Sequence, residues 1–238
     1  EKYIVDGVYA PDNAIYELAT VLKNIEQYRF PSRINEVTEG YFREMAPLVG
    51  GELGEAMGEY ARNPGDPEAQ AILETHPSEV GTTRTTCVVT MLKDGHAENA
   101  LPQSATATVN CRIFPGTSVA QVQETLAEVV GSEDVEFELL GDPTESPVSE
   151  LRSDVVAAVE QAVHARYPDV KLIAYMESGG TDGMHFRNAG IPTWAVSGRF
   201  MNPDEMYAHG LNERVPIKAF YDGLDHWTII LKALATSD

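Results

Sequence analysis

Apolar and polar residues alternate along residues 104–114, where Ala105, Ala107, Val109, Cys111 and Ile113 share one side. Period-two alternation over this length predicts a half-buried strand. Residues 82–92 predict a second strand, separated from the first by a Lys93-Asp94-Gly95 turn and Pro102. On either side the apolar period lengthens to that of a helix. Pro11-Asp12-Asn13 opens one helix, with Ile15, Leu18, Ala19, Leu22 and Ile25 on one face. Thr117-Ser118 caps another that runs to Val130, with Val119, Val122, Leu126 and Val129 inward. Short β-like runs at residues 3–9 and 135–140 complete the order strand, helix, strand, strand, helix, strand. That is the split βαβ (ferredoxin-like) order.

The order is interrupted once. In residues 32–80, Tyr41, Phe42, Met45, Leu48, Leu53 and Met57 predict short helices, and Asn63-Pro64-Gly65-Asp66-Pro67 a loop. This insertion covers some surface, and its apolar residues need a partner from outside the segment. Gly141-Asp142-Pro143-Thr144-Glu145-Ser146-Pro147 is the best domain boundary, giving domains at 1–140 and 141–238. Beyond it come a helix at 151–166, a strand at 171–176 and the turn Gly179-Gly180-Thr181-Asp182. A short helix to Gly190, a buried strand at 191–197, a long loop and a helix at 217–234 follow. Alternating helix and strand make an α/β layer. Two strands are too few for a self-sufficient parallel sheet. The second domain therefore reads as half of one.

Composition narrows the partners. Seventeen basic against thirty-seven acidic residues give a net charge of −20 over 238 residues. That excludes nucleic acid, whose phosphates need Lys and Arg, and anionic membrane surfaces. No apolar run reaches the roughly 20 residues that span a bilayer, so a soluble protein is expected, with a secreted or periplasmic location left open. Cys87 and Cys111 are too few for a disulfide framework and lack C-x-x-C spacing. Both read as buried small apolar residues of strands.

Five separated segments, in order, carry a family resemblance. They are Pro11-Asp12-Asn13-Ala14-Ile15, Arg84-Thr85-Thr86, Asn99-Ala100-Leu101-Pro102 with Asn110-Cys111-Arg112-Ile113-Phe114-Pro115-Gly116, Gly179-Gly180-Thr181-Asp182, and His209-Gly210-Leu211-Asn212-Glu213. Together the chain resembles the two-zinc aminoacylase/carboxypeptidase metallopeptidases, in the carboxypeptidase S and N-acyl-amino-acid hydrolase branch. The resemblance implies a ferredoxin-like lid and dimerisation domain with a helical insertion, followed by the C-terminal half of an α/β zinc-peptidase catalytic domain. It implies hydrolysis of an amide beside a free carboxylate, in a small peptide or N-acyl amino acid. Two zinc ions activate the water and a Glu takes its proton. A homodimer through the lid is implied as well.

Carried over residue by residue, the resemblance makes His209 a zinc ligand, with Asn212 or Glu213 orienting its other nitrogen. A loop His packed under a helix is the plainer alternative. Asn99 and Arg112 would face the active site from the lid, Arg112 offering a fork that matches a carboxylate. Arg112 is out of phase with the inward set, which fits an exposed charge or a ligand face. Gly180 and Thr181 would hold the substrate carboxylate through backbone N–H and hydroxyl, or form a tight turn with an N-cap. Arg199 is a further candidate for the same carboxylate. His96, His164, His185 and His226 match no role. The family's remaining ligands are absent: no His is followed two residues later by Asp, and no Glu-Glu occurs. A lid His is expected just before Pro11, where the chain has Val8-Tyr9-Ala10. The chain is therefore expected to be inactive alone, its general base and other zinc ligands belonging to a missing N-terminal half. A dimerisation module or a non-catalytic carboxylate binder remains the alternative.

Overall fold

The computed structural model describes residues 13–132, 134–141, 143, 145–202, 207–208 and 210–236. The expected strand at residues 3–9 lies outside them. The element order is α1 (Ala14–Gln27), α2 (Glu36–Val49), α3 (Gly51–Arg62), α4 (Pro67–Glu74), α5 (Pro77–Val80), β1 (Thr86–Asp94), β2 (Ala105–Arg112), α6 (Val119–Val130), α7 (Ser153–His164), α8 (Gly183–Asn188) and α9 (Ile217–Ala235). The fold is α+β. Two compact units divide it: residues to Glu145 with Tyr175–Gly180, and Ser146–Ala174 with residues from Thr181 onward.

In the first unit, β1 and β2 form an antiparallel hairpin with Thr86 opposite Arg112 and Asp94 opposite Ala105. An irregularity between Val89 and Met91 absorbs one extra residue on β1. Helices α1 and α6 lie against this hairpin, burying Val21, Ile25, Val122, Leu126 and Val130 with Phe30. α6 starts at a capping box, in which Ser118 accepts from the Gln121 N–H and the Gln121 side chain accepts from the Ser118 N–H. In α1 the buried face is centred on Val21 and Ile25, while Ile15 is exposed. The expected face was thus rotated by part of a turn.

Cys87 and Cys111, directly opposite each other in the hairpin, form a disulfide. The sequence left their pairing open, and the cross-strand register, which sets their Cα atoms 4.1 Å apart, brings the two together. Such bonds persist in oxidising compartments.

The insertion also departs from expectation. Three of its four helices, α2, α3 and α4, bury Phe42, Ala56, Met57, Tyr60, Ala69 and Leu73 against one another, so the segment has its own core. The buried Tyr60 hydroxyl donates to the Arg33 carbonyl at 2.8 Å and meets the Ser32 hydroxyl at 2.7 Å. Arg84, nearly buried, pairs with Glu74 at 2.5 Å and donates to Gln70 at 3.1 Å. These bonds tie α4 to the entrance of β1.

The second unit is built on α7 packed against α9, around Ala158, Val159, Ala162, Val163 and Ile230. Residues 135–140, 171–176 and 191–197, expected as strands, form no ladder. A strand needs a neighbour for its N–H and C=O groups. For 135–140 the expected neighbour is the run at residues 3–9, outside the described residues. Ile191 is also half exposed, so 191–197 is not the buried strand expected. α9 leaves Ile217, Phe220, Tyr221, Leu224, Trp227 and Leu231 exposed. No described helix is long and apolar enough to cross a membrane.

On its inner side α9 presents His226, only 3 % exposed, its ring edge-on to Phe200. Gly198 backs it, since a β carbon there would lie 2.6 Å from the His226 Cβ. Neither ring nitrogen has a hydrogen-bond partner among the described residues. Burial pushes the imidazole below the ordinary histidine value; the neighbouring Ala162 backbone opposes this in part, and the Arg166 charge adds to it. Arg166 is itself paired with Asp222 at 3.2 Å and with Asp225 at 3.8 Å. The unfolded chain therefore takes up this proton first. Stability from the neutral ring is complete above about pH 6.5 and is lost as pH falls below that through the folded-state value. The stability of residues 153–235, followed by hydrogen exchange between pH 7.5 and 5, should fall towards acid. His226→Phe should remove much of that slope. An unchanged slope in His226→Phe would assign the effect to other groups.

Candidate functional site

The two residues that stand together are Arg112 and Ser178. Arg112 ends β2 with its side chain exposed, on the face opposite Cys111. Its Nη1 donates to the Ser178 carbonyl at 3.3 Å. Guanidinium has five N–H donors in a planar fork, so most of the fork is open to a carboxylate. Ser178 immediately precedes Gly179-Gly180. The Gly179 N–H donates to the Glu177 carboxylate at 3.1 Å, which folds the turn over its own side chain. A β carbon at Gly180 would meet nothing within 4 Å. Packing does not require glycine there, and the space beside its Cα is open to a ligand.

Asn99 lies elsewhere. It is exposed in the connection after β1, at the end of the hairpin remote from Arg112. The seven steps of β2 from Ala105 to Arg112, at about 3.4 Å each, separate these ends by roughly 24 Å. One copy of the chain does not bring Asn99 and Arg112 to one small ligand.

In the second unit, Thr181 is exposed and its carbonyl accepts from the Met184 N–H at 3.1 Å. The N-cap of α8 is Asp182, which makes no side-chain capping bond. Arg199 is exposed, its stem lying beside Gly223. His209 is outside the described residues. The loop that carries it has the Arg214 guanidinium 3.5 Å above the Tyr207 ring, a cation–π contact not foreseen from sequence. Among the described residues no group of three or more His, Cys, Asp or Glu side chains could hold a metal ion. The described residues alone do not make a two-zinc site.

Beside these stands a group that sequence reading passed over. The Tyr41 ring packs 5.0 Å from Tyr175, and its hydroxyl donates to buried Glu79 at 3.5 Å. Burial pushes both phenols up, with Glu79 adding to the shift of Tyr41 and Glu177 and Glu79 to that of Tyr175. Both stay protonated at working pH. A cleft of about 470 Å³, lined by Ser32, Arg33, Asn35, Gln70 and Phe114 among others, contains none of the six residues singled out from sequence.

Residues 10–138 match the family described as the M20 peptidase dimerisation domain. The chain is 30% identical over 159 residues to the human N-fatty-acyl-amino acid synthase/hydrolase PM20D1, covering 65% of this chain and 32% of that protein. It is 25% identical to probable carboxypeptidase S-like 2 of Dictyostelium discoideum, covering 70% of this chain and 33% of that protein. It is also 30% identical over 153 residues to aminoacylase-1 of Sus scrofa, covering 62% and 36% respectively. The chain thus spans about a third of the length of these relatives. Among solved structures, an M20 family metallo-carboxypeptidase, Sso-CP2 from Sulfolobus solfataricus, shares the fold with a TM-score of 0.54 at 19% identity. That match covers 93% of this chain and 56% of the other. The relatives are hydrolases of the carboxypeptidase and aminoacylase type. The family match takes in more than half of the chain, and the chain belongs to the M20 peptidase dimerisation-domain family.

Proposed function

We propose that this chain supplies the lid and a carboxylate-recognising wall of a metal-dependent hydrolase. Its substrate is an amide beside a free carboxylate, in a small peptide or N-acyl amino acid. The observation that carries the reading is Arg112 bonded to Ser178, directly before the open Gly179-Gly180 turn. A guanidinium fork next to an open glycine turn, whose Gly179 N–H is already held by Glu177, fits a carboxylate. Gly180, in the same unit, completes this wall, while Thr181 and Arg199 enter the reading through the family resemblance alone. The names of the relatives support the substrate class.

Zinc and the general base come, in this reading, from a portion that the relatives possess and this chain does not span, with His209 adding one ligand. When bound, zinc supplies an activated water. Arg112 and the turn hold the acid end of the substrate and fix which amide faces that water. Asn99 stands too far from Arg112 to serve the same substrate, which favours a homodimer in which Asn99 serves the neighbouring copy.

The test is hydrolysis of an N-acyl amino acid by a longer form carrying the portion its relatives have, and by residues 1–238 alone. The longer form should sediment as a dimer, turn over, and lose activity to a chelator, while the 238-residue chain stays inactive. Turnover by residues 1–238 alone, or chelator-resistant turnover by the longer form, contradicts the proposal.

A further inference from the structure

Tyr175–Gly180 is grouped with the first unit, although the residues on both sides of it belong to the second. Four contacts hold it there, and three come from the helical insertion or its borders. The Tyr175 ring packs on Tyr41 of α2. The Asn35 amide, at the N-cap of α2, donates to the Met176 sulfur at 3.6 Å. Ser178 fills the space beside Gly81, the C-cap of α5. A β carbon on Gly81 would lie 2.5 Å from the Ser178 Cβ and 2.8 Å from its Oγ. The fourth contact is the bond from Arg112 to the Ser178 carbonyl.

Gly81 is informative because its backbone asks for nothing unusual. At φ −69° and ψ −15° it lies in the right-handed region open to every residue. Glycine is needed there only to admit Ser178. Asn35 is likewise committed on two sides, its side-chain oxygen capping α2 at the Thr38 N–H while its amide reaches Met176.

We infer that the helical insertion is a platform that positions the Gly179-Gly180 turn, with Gly81 as a positioning residue. The inference rests on the reading of that turn as part of the carboxylate site. Ser178 is held from one side by Gly81 and from the other by Arg112, so the guanidinium and the turn are referenced to the same residue. The turn follows within two residues of this anchor, and much of its ordering cost is met in the folded chain rather than on binding. An insertion that buries its own core without the rest of the unit thereby gains a role at the site: it sets where the acid end of the substrate is held.

Amide hydrogen exchange of the 238-residue chain tests this in a double-mutant cycle. In Gly81→Ala, exchange across residues 175–182 should quicken at least tenfold while α1 and α6 keep their protection. In a Ser178→Gly background, Gly81→Ala should add nothing, because the atoms it meets are gone. Tyr175→Ala, at a residue 43% exposed, should loosen the same stretch without disturbing the core. Exchange unchanged within twofold in Gly81→Ala, or an effect that persists undiminished in the Ser178→Gly background, overturns the platform. In a catalytically competent longer form, Gly81→Ala should raise KM for an N-acyl amino acid about tenfold and leave kcat within threefold. If exchange responds as expected but KM does not move, the platform stands and the carboxylate reading of the turn fails.

Discussion

Replacing Phe42 by Ala should cost about 3–5 kcal/mol, the range for deleting a buried aromatic ring. The Phe42 side chain is fully enclosed, edge-on to Tyr60 at 5.0 Å and to Tyr41 at 5.3 Å. It joins α2 to α3 at the centre of the insertion's core. The loss combines the transfer energy of the ring with the cavity left behind, and the neighbouring Tyr60 is held by its hydroxyl and is poorly placed to refill it. Whole-domain stabilities are about 5–15 kcal/mol, so residues 36–80 should lose a large share of their protection while α1, α6 and the hairpin keep theirs. Phe42→Leu keeps most of the volume and should cost less than half as much. Hydrogen exchange resolved along the chain measures both. A cost below about 1 kcal/mol in Phe42→Ala would mean that the insertion does not depend on this core.

That core was only partly legible in the sequence. Tyr41, Phe42, Met45 and Met57 were visible as helical, but Tyr60, Ala69 and Leu73 lie beyond or beside a Pro-Gly loop that hides the continuity of their packing. The hairpin was legible because alternation is a local property: Ala105, Val109 and Cys111 share a face whatever their neighbour. Its register was not. The ten-residue connection at 95–104 leaves the offset free, and only the offset makes Cys87 and Cys111 partners. α6 declared itself through Thr117-Ser118 at its start, and the structure adds Gln121 as the partner that closes the capping box. α1 was found but turned, since Ile15 and Ala19 fit the same period as the residues that are buried.

The site divides along the same line. Arg112 was legible as a polar residue out of phase on a strand, and the structure keeps it on the exposed face. Its partner Ser178 stands 66 residues away and carries no pattern of its own. Gly81, Tyr41 and Asn35 were invisible for the same reason: their part lies in contacts with Tyr175, Met176 and Ser178, and no local period records a contact across the chain. Asn99 and Arg112 read as a pair because they belong to one motif series, whereas an antiparallel hairpin sends its loop and its open end in opposite directions.

Arg112→Ala, made in a catalytically competent longer form, should lower kcat/KM for N-acyl amino acids by roughly 2–5 kcal/mol, the range for truncating one partner of an enclosed charge pair. That corresponds to roughly 30-fold to several thousand-fold. The loss has two parts: the substrate carboxylate is left unmatched, and Ser178 loses the contact that references the turn to β2. Arg112→Lys should recover little, because an ammonium cannot reproduce the planar fork. The contribution depends on the substrate's negative charge, so the most direct measurement is the ratio of kcat/KM for an N-acyl amino acid to that for its amide, in the parent and in Arg112→Ala. The account predicts that the ratio collapses in the variant, with the amide little affected. A ratio equal to the parent's would contradict it and make Arg112 a structural residue of the hairpin.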